Sequence, residues 1–152
     1  MHKRLKQPLI YGIISVLCIF VLLFGGCSKN TKDTGYITAV DDFYNKVITY
    51  DARIKRIDPK DAKATTELLQ ILDDMDKDFK DFADLPVPSD IPEAREHAQN
   101  AAAFMTKAVS YYHTALDGEK VDDMALSTAE LNYENAVTEI KNVGVALQNA
   151  DR

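Results

Sequence analysis

The chain has 152 residues, with 24 acids against 18 Lys and Arg and a net charge of −6. That length suits one ordinary domain. The acidic balance argues against a nucleic-acid binder, which needs a basic face, and against a body lying flat on anionic lipid.

The N-terminus opens on His2, Lys3, Arg4 and Lys6, and then Leu9 to Gly26 carries no charge. The run ends Leu23-Phe24-Gly25-Gly26-Cys27, followed by polar Ser28-Lys29-Asn30. A basic start, an apolar stretch and small residues before a boundary form the layout of a secretory signal. Read instead as an uncleaved transmembrane helix, the run is near the lower limit of ~17–25 residues for a span. Either way the positive flank places the following chain outside the cytoplasm.

With cysteine as the first retained residue, the segment resembles the lipobox of bacterial lipoproteins. Phe24 stands where that family usually has Leu. The resemblance implies a signal peptide over 1–26, cleaved between Gly26 and Cys27. It also implies lipidation of Cys27 by diacylglycerol, with palmitate as a further acyl group. Two or more chains give a stable membrane anchor, where one is marginal. The implied location is the extracytoplasmic face of the cell membrane, or the outer membrane in a two-membrane cell. The mature chain keeps 15 of the cations and all 24 acids, a net −9. Cys18 falls within the removed run and Cys27 is the lipid acceptor, so the body has no disulfide framework.

Residues 27–34 form a polar tether, of which Ser28–Thr34 reach roughly 23–25 Å when extended. Beyond it, 35–150 reads as an antiparallel up-down four-helix bundle, an all-α fold. Val40, Phe43, Val47, Tyr50, Ile54 and Ile57 give a first helix over about 35–57 by their 3-4 spacing. Asp58-Pro59 ends it and offers a cap and first turn to a second helix over 59–85. A bent rod across that pair is the alternative to a hairpin. The second helix carries Leu68, Leu72, Met75, Phe79 and Phe82, and the Leu85-Pro86-Val87-Pro88 connector stops it. Asp90 with Glu93 reads as a capping box for a third helix over 91–117, with Pro92 in its first turn. That helix is rich in alanine, and Gly118 is available for a left-handed C-terminal cap. The fourth helix, 122–149, begins near Asp122 or Asp123 and carries Leu126, Ala129, Tyr133, Ala136, Ile140, Val143 and Leu147.

Candidate chemistry is sparse. Read as a calcium loop, Asp74, Asp76 and Asp78 require Gly at the sixth place and Glu at the twelfth, where Phe79 and Leu85 stand. The acids of 73–81 read instead as a solvated helix face with the i,i+4 pairs Asp73–Lys77 and Asp76–Lys80. His97 and His113 lie sixteen residues apart without a Glu-x-x-His or HExxH pattern, so no metal site is assigned. Met75 or Met105 opposite a histidine leaves a haem reading, without a Cys-x-x-Cys-His attachment sequence. No Gly-x-Ser-x-Gly elbow surrounds Ser89, Ser110 or Ser127. No catalytic residue and no cofactor is assigned, and an enzyme is not expected.

Tyr44, Tyr111 and Tyr112 remain as candidates for a binding surface, since aromatics are enriched at interfaces. The body as a whole resembles the uncharacterised helical-bundle lipoproteins of bacterial envelopes, through its lipid cysteine, Leu85-Pro86 break and Ala/Tyr-rich third helix. The expectation is a non-enzymatic interaction module whose partners are the bilayer, through Cys27, and an envelope or extracellular protein. The alternatives are a bundle that binds a small molecule or haem beside Tyr112 and Tyr133, and an inhibitor or immunity lipoprotein.

Overall fold

The computed structural model describes residues 34–150; the signal, Cys27 and the tether up to residue 33 lie outside the described residues. The described chain forms α1 (Thr34–Lys55), α2 (Ala64–Ala83), α3 (Pro92–Leu116) and α4 (Asp123–Ala150), with no strand. Polar bridges define the topology. Lys46 meets Asp78 and Arg53 meets Asp74 across α1 and α2. Thr106 meets Asp76 and His113 meets Asp73 across α2 and α3. In each pairing the residue number rises on one helix as it falls on the other, so neighbours are antiparallel. A short loop then turns α3 into α4, with the Asp122 amide donating to the Ala115 carbonyl at 3.1 Å. The fold is an up-down four-helix bundle.

The 3-4 stripes converge on one core. Val40, Phe43, Val47 and Ile54 of α1 face Leu68, Leu72, Met75, Phe79 and Phe82 of α2. Phe43 is the joint between them: its ring stacks on Phe82 at 4.1 Å between centroids and meets Phe79 edge-on at 5.0 Å. α3 and α4 approach more closely than any other pair. Their seam is built on Ala101, Ala108, Ala115, Ala129 and Ala136, all fully buried. Without side-chain bulk between them the two backbones close up, and Tyr112 and Tyr133 fill the space beside them.

Three ends differ from the sequence expectation. Helix α2 begins at Ala64 rather than Pro59. The Asp58 carboxylate accepts the Lys60 amide at 2.9 Å and the Asp61 carboxylate accepts the Lys63 amide at 2.8 Å. Two successive aspartate turns therefore replace the first helical turn, an alternative that short acidic side chains offer the backbone. Ile57 and Pro59 are buried beneath this reversal, and the chain makes a hairpin, not a bent rod. At α3 the residue flanking the helix is Ile91, not Asp90, and no side chain caps it. Ile91 is 3% exposed, so apolar burial holds that end while Pro92 takes the first helical position as expected. Gly118 adopts no left-handed conformation; α3 ends instead with the Asp117 amide donating to the His113 carbonyl at 2.9 Å. Asp122 does cap α4, its carboxylate accepting the Met124 and Ala125 amides at 3.0 Å each.

Candidate interaction surface

The acids of α2 are not a simple wet face. α2 is the bundle's polar hub, because its acids lean to both sides of the apolar stripe. On the α1 side, Asp78 accepts from Lys46 Nζ at 2.8 Å and from the Tyr50 hydroxyl at 2.7 Å. Burial alone raises the Asp78 carboxyl, but these two hydrogen bonds outweigh it and hold the group below the usual carboxylate range. The Tyr50 phenol is pushed above its ordinary value, by burial first and by Asp78 second. Arg53 stacks over the Tyr50 ring at 5.6 Å while reaching Asp74 at 3.3 Å.

On the α3 side, Asp76 accepts from Thr106 at 2.6 Å and also pairs with Lys80 at 2.7 Å, as the i,i+4 spacing predicted. Asp73 turns to His113 Nε2 at 2.8 Å, while His113 Nδ1 faces Asp117 at 3.2 Å. Both ring nitrogens have an acidic oxygen to donate to, an arrangement that only the imidazolium satisfies in full. Partial burial works against the charged ring, and the bonds to Asp73 and Asp117 outweigh it, raising His113 above its ordinary value. His97 is likewise engaged, its Nδ1 lying 2.6 Å from Glu139 across the α3–α4 seam. Met75 and Met105 are core residues at 1% and 0% exposure. Among the described residues no three His, Cys, Asp or Glu side chains converge in a way that could hold a metal ion.

The three candidate tyrosines do not form one surface. Tyr112 is fully buried and is corrected from surface to core. Its hydroxyl has no hydrogen-bond partner among the described residues. Burial drives its phenol far above the ordinary value, with Tyr133, Glu130 and Glu134 adding to the effect. Adjacent helical positions diverge by ~100°, so the inward turn of Tyr112 leaves Tyr111 outward, 41% exposed. Tyr44 is half-buried on the α1–α4 seam, where its hydroxyl donates to the Ile140 carbonyl at 3.2 Å. Of the three, only Tyr111 has its ring largely free for a partner.

Sequence reasoning passed over a second feature. Met124, Leu131 and Val145 are 81%, 59% and 51% exposed along the outer side of α4. Their spacing of seven and then fourteen residues was visible, but the stronger stripe on the other side of the same helix masked it. Among the described residues no helix is long and apolar enough to cross a membrane. No protein-family model, no curated protein and no solved structure matches the chain.

Proposed function

We propose that the protein is a membrane-anchored bacterial lipoprotein whose four-helix body is a non-enzymatic interaction module on the extracytoplasmic side. The observation that carries this reading is the order of the N-terminal segment: basic residues, an uncharged run, Gly25-Gly26 and Cys27. Cys27 provides the attachment through its acyl chains, and the body provides the surface. The bundle supports the second half of the reading by the way it uses its polar groups. Its histidines and the α2 acids Asp73, Asp74, Asp76 and Asp78 are spent on tying helices together, while exposed apolar side chains such as Tyr111 and Leu131 remain outside. The partner is an envelope or extracellular protein.

Crosslinking the tagged chain in its own intact envelope, with Cys27→Ala as control, tests the module. The expected result is one dominant captured protein, reduced or lost in the control. Full anchoring and good expression with no captured protein would overturn it in favour of a small-ligand bundle.

A further inference from the structure

The reversal between α1 and α2 concentrates positive charge on an acidic body. Five of the chain's 18 Lys and Arg fall within residues 53–63. Two are spent within the fold: Arg53 reaches Asp74 at 3.3 Å and Lys55 reaches Asp51 at 2.6 Å. Both also lie in the last turn of α1, where a cation suits the negative end of the helix dipole. Arg56, Lys60 and Lys63 have no such use. All three are exposed, and none is in an ion pair among the described residues. The reversal is made of two successive turns, closed by the Asp61 amide on the Asp58 carbonyl at 2.9 Å and the Ala64 amide on the Asp61 carbonyl at 3.1 Å. Lys60 and Lys63 hold the same place in each, the third. The carboxylates of Asp58 and Asp61 accept the backbone amides of those two lysines. The acids nearest in sequence are thus turned to the main chain and not to the ammonium groups.

We infer that this tip binds a linear phosphate polymer. Charge selects the chemistry, since three uncompensated cations in one tight reversal attract a polyanion and release its counter-ions. Lysine meets phosphate as a point charge, and the Arg56 guanidinium adds a fork that matches two phosphate oxygens. An acidic protein segment is the poorer fit. Protein interfaces are built on aromatic and apolar anchors and are poor in Lys. Here Ile54, Ile57, Pro59 and Ala64 are buried, and the exposed side chains of 55–63 are all charged except Ala62. A flat membrane surface fits worse. The antiparallel order of the helices puts the α3–α4 turn at the same end of the bundle, with Asp117, Glu119, Asp122 and Asp123 exposed on it. A broad anionic surface would meet those acids as well, while a single chain lies on the α1–α2 turn alone. The inference does not depend on the anchor, and it adds a ligand of different chemistry to the protein partner proposed above.

Binding of fluorescent long-chain inorganic polyphosphate to the full chain, held in neutral phosphatidylcholine vesicles, tests it. Circular dichroism confirms that each variant is folded, as expected when the turns use the amides of residues 60 and 63 and not their side chains. At about 50 mM salt the wild type should bind with a Kd of about 100 μM or tighter. The logarithm of affinity should fall against that of salt with a slope of about −2, as about three phosphate contacts require. Lys60→Glu combined with Lys63→Glu should weaken binding about tenfold or more. Lys107→Glu combined with Lys141→Glu makes the same change in net charge away from the tip, and should weaken binding less than about threefold. No binding by the wild type would overturn the inference. So would equal losses in the two double variants, since net charge alone would then be read. Polyglutamate of equal charge that binds as tightly would overturn it in favour of an acidic protein segment. Phosphatidylglycerol vesicles that displace the polymer would overturn it in favour of a membrane.

Discussion

At the scale of single residues, the polar groups inside the bundle fall into two kinds, and each makes a different prediction. The Tyr112 hydroxyl is buried without a partner among the described residues. An unsatisfied buried group costs about 1–3 kcal/mol. Tyr112→Phe removes the oxygen and keeps the ring, so it should leave stability unchanged or raise it by about 1 kcal/mol, as read by urea denaturation. A clear fall would mean that the hydroxyl has a partner beyond the described residues. His113 is the opposite case, with both ring nitrogens facing carboxylates. Its folded value is raised, so its contribution is complete below the unfolded value of about 6.5 and fades as pH rises through the folded one. His113→Gln should therefore lower Tm more at pH 5.5 than at pH 8.5. An equal loss at both would remove the charge from the account. Neither role was legible in the sequence, because each depends on which side chain lies across the seam. Spacing along one helix could not show that Asp73 would meet His113, forty positions away, instead of Lys77.

At the scale of the helices, periodicity was a sufficient guide to where each one lies and which side it buries. Val40, Phe43, Val47 and Ile54 are all in the core, as are Leu126, Ala129, Tyr133, Ala136, Ile140 and Val143. The helix ends were less legible, because several local solutions compete there for the same amide groups. Asp58 and Asp61 took those amides into aspartate turns, and Ile91 replaced a polar cap with apolar burial. The joint between α1 and α2 rests on Phe43, packed between Phe79 and Phe82. Phe43→Ala should cost about 3–5 kcal/mol, a large part of the stability of a domain this size. The loss should appear as a lower denaturation midpoint with the slope kept, because the rest of the core is intact. A loss below about 1 kcal/mol would mean that α1 is held chiefly by its polar bridges to α2, each of them a modest contributor at the surface.

At the scale of the whole molecule, the described bundle uses the acids of α2 and His97 and His113 to tie its helices together, and the proposed role rests on its outer surfaces. Such a body acts by what it holds and where it is held. On this account the location is set by one residue, Cys27, which lies outside the described residues, and the holding by the outer faces of α3 and α4. The first half of that proposal is read from a short ordered motif in the sequence. The second half needed the fold, because an exposed stripe and a buried stripe have the same spacing and only the fold separates them. The most direct measurement of the central claim is the intact mass of the mature protein purified from its own membranes, beside a Cys27→Ala variant. The predicted result is a chain that begins at Cys27 and carries acyl mass on that residue, with the variant neither cleaved there nor acylated. A chain that keeps residues 1–26 with an unmodified Cys27 thiol would contradict the account.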